Sequence, residues 1–222
     1  MSYFFPRRQP PQTLELNGHE ILATEVELLD PRRTVYRFKL KPGSYRYPIP
    51  EGAISIIVKQ QKEDWEEEFK DEEIAYKKLE ALQGTVIPYF YGHGYFDGLP
   101  ALILSDINGI PLSDLARSND EVPEDVLKAY LEKVFKQFSK YGALYRDQKL
   151  DNFLLCVDKV MAVDLERVEF PDQFRPWHPL VNKGGPRSLM EDFEYTRNPR
   201  RKSSPLDFWI SGNDTSASQL AS

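Results

Sequence analysis

Five polar residues from widely separated segments have types and an order that could do chemistry together. They are Lys59 after the apolar run ISIIV, Glu72 in a charged stretch, Asp147 and Asn152 in YRDQKLDN, and Asp164 in VMAVDLE. Moving a phosphoryl group asks a protein mainly to place phosphates and to orient a hydroxyl, so its mark is a few charged groups brought in from distant segments. Lys59 sits where a strand would deliver an ammonium into a cleft, and Glu72, on a following helix, could hold that ammonium in an ion pair. Asp147 and Asn152 flank a tight loop, and Asp164 ends the second strand of a hairpin after it. Singly, each has a plainer reading: a strand-end Lys reaching solvent, a helical Glu facing water, an Asp and an Asn making a turn. Their shared order, each in a fitting strand or helix context, favours the chemical reading.

Those contexts come from the hydrophobic pattern. Between Leu14 and Gln60, short apolar stretches are broken by turn formers, as in antiparallel strands. The run from Ala53 to Lys59 is β-branched and continuously apolar, which predicts a strand buried on both faces. Residues 64–82 space Trp65, Phe69, Ile74, Tyr76, Leu79 and Leu82 like the apolar stripe of a helix that Gly84 ends. VIPYFYGHGYFDGLPALILSDI then predicts a hairpin whose outgoing strand is Ala101 to Ser105.

Helices return with Pro111 to Ala116 and with EVPEDVLKAYLEKVFKQFSKYG, whose apolar positions are Val126, Leu127, Tyr130, Leu131, Val134, Phe135 and Phe138. FLLC and VMAVD read as two short strands turning around Val157 to Lys159. Beyond Phe170 the prolines at 171, 176, 179 and 186 interrupt the pattern, leaving a short helix at Ser188 to Arg197 and a Trp177 expected to pack on the helical half. The predicted architecture is α+β. A flexible arm spans 1–13, an antiparallel sheet with one helix 14–105, a small helical lobe 106–195, and a disordered tail 196–222.

Composition narrows the function classes. With 41% hydrophobic and 29% charged residues over 222 positions, the chain reads as a soluble globular protein of one domain or two small lobes. A net charge of -6 argues against nucleic acid as the main partner, and no apolar run approaches the ~20 residues a membrane span needs. Cys156 is the single cysteine, so no internal disulfide or Cys-rich metal site can form, and a reducing, cytoplasmic setting is expected. RNPRRKSSP has the composition of a nuclear-import or phosphorylation segment, though a solvated charged tail is the commoner meaning of such a run. His19, His93 and His178 lack metal-ligand spacing and, like Cys156, are read as structural.

YRDQKLDNFLL is similar to HRDLKPENILL, the catalytic loop of the protein kinase superfamily. Arg146, Asp147, Lys149, Asn152 and two leucines stand in register, with Tyr145 in the place of the usual His. EEIAYKKLEALQGTVIPYFYGHG also resembles a helix and strand of small fungal kinase-like proteins. The resemblance covers roughly Leu14 to Phe170 and implies a two-lobed kinase-like fold with a truncated helical C-lobe. It further implies ATP and Mg²⁺ as cofactors. Lys59 would meet the ATP phosphates with Glu72 as its helix partner, and Asp147 would be the base on the acceptor hydroxyl. Lys149 would steady the transferred phosphoryl group, and Asn152 and Asp164 would hold Mg²⁺. Leu104 takes the gatekeeper position, with Ser105 to Ile107 as the adenine-binding hinge. Glu72 is preferred to Glu73 because Ala75, Tyr76 and Leu79 then follow at helical spacing.

The departures matter as much. The turn before Lys59, LLDPRRTVYRF, has no glycines to close over phosphates, and Arg32 or Arg33 could replace them only by charge, an exposed turn being the plainer reading. Leu165-Glu166 stands where the family has Phe-Gly, and the Ala-Pro-Glu segment is missing. Two functions are therefore expected to compete. One is an ATP- and Mg²⁺-dependent phosphotransferase, with a protein Ser/Thr acceptor favoured by Lys149 and a small-molecule acceptor by the short C-lobe. The other is a pseudokinase-type module that binds and regulates a protein partner.

Overall fold

Alternation of side chains along short strands decides what the first half of the chain builds. The computed structural model describes residues 13–199 except 31, 33, 45, 174 and 176, so most of the expected arm and tail lies outside the described residues. The strands are β1 (Leu14–Leu16), β2 (His19–Ile21), β3 (Ala23–Asp30), β4 (Val35–Leu40) and β5 (Ser55–Gln60), followed by β6 (Phe90–Phe96) and β7 (Leu99–Ser105). Among the described residues these seven form one sheet in the order β2-β1-β6-β7-β5-β4-β3, with every neighbouring pair antiparallel. Asn17-Gly18 and Asp97-Gly98 turn the β1–β2 and β6–β7 hairpins with positive φ at both residues, 54° and 74°, then 49° and 80°. That is the backbone twist a two-residue hairpin loop needs.

The period of two splits the central strands between two cores. Ile56 and Val58 of β5 and Ala101 and Ile103 of β7 point to one face, where they pack with Phe38, Phe96 and Leu16. Leu102 and Leu104 point to the other and join a larger core that includes Tyr76, Leu79, Leu115, Leu127 and Phe135. Ile57 and Lys59 share that second face. The strand expected to be buried alike on both sides is therefore core on one side and cleft on the other, with Ile57 only half-buried.

Helix α1 (Glu66–Lys78) carries Glu66, Glu67 and Glu68 in its first turn and Lys77 and Lys78 in its last, which suits the helix dipole. Its buried stripe is Phe69, Glu72, Ala75 and Tyr76, so one carboxylate lies within the apolar face. The helix is shorter than the periodicity suggested: it stops at Lys78, and a 3-10 turn, Glu80–Leu82, follows. Trp65 and Ile74, assigned to the apolar stripe, are exposed instead. Ile74 is two residues beyond Glu72, a step that turns it away from the buried face.

The second half comprises β8 (Ile110–Pro111), α2 (Leu112–Arg117), α3 (Glu124–Lys140), β9 (Leu144–Tyr145), β10 (Phe153–Leu155), β11 (Val160–Ala162), β12 (Val168–Glu169) and α4 (His178–Arg197). β10 lies between β11 and β8, and β12 pairs with β9. α3 buries Leu127, Leu131, Val134, Phe135 and Phe138, whereas Val126 is exposed and Tyr130 half-buried at the edge of the stripe.

Helix α4 is twice the length the sequence suggested and runs through Gly184, Gly185 and Pro186. Packing overrides local propensity here: a Cβ at Gly185 would stand 2.6 Å from the Phe135 ring, so the glycine lets α4 lie against α3. Trp177 keeps only a partial contact with the helical half, its ring edge-on to that of His178 with 6.1 Å between centroids. It stands just before α4, half exposed, with the Arg175 guanidinium 5.5 Å from its ring. Among the described residues no helix is long and apolar enough to cross a membrane.

Candidate functional site

The strand alternation that packs Ile56 and Val58 inward delivers the Lys59 ammonium to the cleft face. There Nζ meets Glu72 Oε2 at 2.6 Å, Glu166 Oε1 at 2.8 Å and Asp164 Oδ1 at 3.1 Å. Glu72 is fully buried, and its other oxygen accepts the Leu165 backbone N–H at 3.2 Å, which ties α1 to the segment after β11. Glu73 faces elsewhere, pairing with Lys77 at 2.6 Å and lying 3.5 Å from His93 Nδ1.

Burial works against the Lys59 ammonium, but Glu72, Asp164 and Glu166 outweigh it and hold its pKa above the ordinary lysine value. Three carboxylates sharing one cation leave excess negative charge. Burial, only partly offset by Lys59 and reinforced by Asp164 and Glu166, pushes the Glu72 carboxyl up to about 7.

Asn152 organises the loop below. Its buried amide donates to the Asp147 backbone carbonyl and to Asp147 Oδ2, each at 2.9 Å, while Lys149 Nζ pairs with Asp147 Oδ1 at 2.7 Å. The loop and the cluster are joined through the backbone. Val163 N–H donates to the Asn152 carbonyl at 3.0 Å, and the buried Tyr145 hydroxyl donates to the Asp164 carbonyl at 2.7 Å. The hydroxyl at the position where the kinase loop has His thus braces the residue that carries the Asp164 carboxylate.

Between sheet and helical region lies a cavity of about 530 Å³ lined by Lys59, Asp164 and Asp151, whereas Asp147, Lys149 and Asn152 are not among its lining residues. Val35 and Ile57 from the sheet and Leu154 from β10 line it, as do Leu104, Ser105 and Ile107. Ser105 is fixed to Tyr89 by two hydrogen bonds of 2.9 Å, backbone N–H to carbonyl one way and backbone N–H to Oγ the other. Such a half-apolar cleft with a few convergent polar groups suits a small-molecule ligand. Arg32 also lines it, in an exposed position beside Asp30.

Several residues that shape the site carry no signal in sequence. The Asp106 carboxylate is buried at the cavity wall, accepting from Arg37 Nε at 2.7 Å and Ser55 Oγ at 2.8 Å. Asn182 of α4, also buried, accepts the Tyr145 N–H at 3.0 Å and donates to the Ala143 carbonyl at 2.7 Å, fixing the chain as it enters the loop. Gln148 donates to the carbonyls of Tyr145 and Val181. The Arg37 and Ser55 partners of Asp106 and the Tyr145 and Ala143 partners of Asn182 are 37 to 69 residues away along the chain, so only the folded protein brings them together.

No protein-family model and no curated protein matches the sequence. Among solved structures the chain is similar to the kinase domain of PknI from Mycobacterium tuberculosis, in a mutant form. The identity is 13% and the TM-score 0.54, over 81% of this chain and 77% of that one. The fold is kinase-like, an antiparallel sheet lobe with one helix above a reduced helical lobe. At that identity the likeness speaks for the fold alone.

Proposed function

We propose that the protein is an ATP- and Mg²⁺-dependent phosphotransferase acting on a hydroxyl, of a protein Ser/Thr or of a small molecule. The observation that carries this reading is the buried Lys59 ammonium, held by Glu72 and Asp164 at the wall of a cavity large enough for a nucleotide. Lys59 would take the phosphates, and the adenine would lie along Ser105 to Ile107. Asp147, its carboxylate oriented by Asn152, would accept the proton of the attacking hydroxyl. Lys149, beside that carboxylate, would steady the charge on the transferred group.

The donor chemistry fits a hard divalent cation, since oxygens of Glu72, Asp164 and Glu166 lie within 4.8 Å of one another. Asn152 and Asp164 would hold Mg²⁺, which neutralises phosphate charge when bound. The likeness of residues 72–94 to small fungal kinase-like proteins favours a divergent member of the superfamily over a conventional protein kinase.

The test is phosphate transfer from ATP with Mg²⁺ across a panel of protein and small-molecule acceptors. Asp147→Asn keeps the shape and removes the base, so transfer should fall by roughly a hundredfold or more. Nucleotide affinity should not change. Equal transfer by both proteins would remove Asp147 from this role.

A second reading, a nucleotide-binding module that regulates a protein partner, has its own support. The turn above the cavity lacks glycines, and Lys59 is already occupied by carboxylates. Absence of transfer by the native protein, with Asp147→Asn fully functional in cells, would favour it.

A further inference from the structure

An ammonium has three N–H donors, and three carboxylate oxygens already lie within 3.1 Å of Lys59 Nζ. A phosphate oxygen can therefore reach Nζ only if one of the three moves away. The carboxylates differ in how firmly they are held. Glu72 is fully buried and bonded to the Leu165 N–H. Asp164 is next most enclosed; its Oδ1 accepts the Glu166 N–H at 3.3 Å, and its carbonyl takes the Tyr145 hydroxyl. Glu166 is the most exposed of the three, at 16% of its side chain, and among the described residues Lys59 is its one ion-pair partner.

From this we propose that Glu166 is a carboxylate latch on Lys59. Its Oε1 stands in for a phosphate oxygen on the ammonium, and a polyphosphate ligand must displace it to bind. The proposal rests on the nucleotide reading above and adds a competitor built into the chain. The competition follows from charge: a carboxylate and a phosphate oxygen accept the same kind of charge-assisted hydrogen bond, and an ammonium has no fourth donor to offer. Two neighbouring carboxylates also repel an incoming anion, so an empty site with Glu166 in place favours the latched arrangement.

The experiment is calorimetry of ATP and of pyrophosphate, in chelator without metal and again with Mg²⁺, on the full chain and on Glu166→Gln and Glu166→Gly. Removing the competing charge should tighten metal-free binding of both ligands by about tenfold or more, the value of one charge-assisted hydrogen bond. If the native chain binds ATP with Mg²⁺ but neither variant gains metal-free affinity, the latch is overturned and the nucleotide reading stands. If none of the three proteins binds ATP under any condition, the nucleotide reading is overturned and the latch with it. Should Glu166→Gln and Glu166→Gly fail to fold, Glu166→Asp retracts the charge by one methylene, and an unchanged metal-free affinity there overturns the latch.

Discussion

The Lys59 cluster, here the upper end of the site, and the Asp147 loop, its lower end, hold ion pairs of nearly the same length in very different surroundings. At the upper end Lys59 and Glu72 meet at 2.6 Å with side-chain exposures of 6% and 0%; at the lower end Lys149 and Asp147 meet at 2.7 Å with exposures of 63% and 24%. Distance alone says they are equivalent, but solvent says otherwise. An exposed pair is screened and contributes about 0–1 kcal/mol, whereas stripping one partner from a buried cluster leaves charge that nothing compensates. The upper end is therefore part of the fold as well as of the proposed chemistry. The lower end can be altered with little effect on folding, which makes it the place to separate the two.

The largest effect that would sharpen this contrast is expected from Lys59→Met. It leaves the carboxylates of Glu72, Asp164 and Glu166 close together with their shared cation gone. Stability in urea unfolding should drop by about 3–5 kcal/mol, the cost of orphaning buried charge. A second substitution, Glu72→Met, should restore part of that loss, because it removes one of the orphans and fills its space with an apolar side chain. A Lys59→Met protein as stable as the native one would mean that the upper cluster is wetter than its burial indicates.

An intermediate effect should follow from Asn182→Leu, which keeps the volume and removes the bonds. The Tyr145 N–H and the Ala143 carbonyl lose buried partners, at a cost of about 1–3 kcal/mol. If phosphoryl transfer is the function, it should fall as well, because Asn182 acts on the strand entering the loop, with nucleotide affinity less affected. Loss of stability with no change in transfer would show that α4 supports the helical lobe without aiming Asp147.

How far the sequence disclosed all this depends on whether the information was local. The five polar residues could be picked out because each adjoins a strand or helix with a strong period, and two lie within one short loop. Glu72 could be told from Glu73 because Ala75 and Tyr76 fix which side of α1 is buried, and it is Glu72 that meets Lys59. What could not be read is long-range. Nothing near Gly185 says that α4 continues through Pro186, because the reason lies in the Phe135 ring on another helix. The bond of Asp106 to Arg37 and the grip of Asn182 on Tyr145 join types that usually face water, and no spacing rule connects them. Leu165-Glu166 was visible as a departure from the kinase pattern. That its carboxylate turns onto Lys59 was not, since the backbone path after Asp164 sets that direction.

The smallest stability effect is expected at the lower end, from Lys149→Ala. Most of the Lys149 side chain is in water, and Asp147 keeps the Asn152 amide on its other oxygen when the ammonium is gone. The loss should stay below about 1 kcal/mol at physiological salt, as for other exposed pairs. It should shrink further near 1 M salt, where screening acts over roughly 3 Å. The deficit of Lys59→Met should survive the same salt, because ions do not enter a buried cluster. If phosphoryl transfer is the function, Lys149→Ala should nevertheless lower kcat, since its charge acts on the transferred group and not on the fold. Urea titrations of both variants at low and high salt would decide the matter: a Lys149→Ala deficit as large and as salt-insensitive as that of Lys59→Met would erase the difference between the two ion pairs.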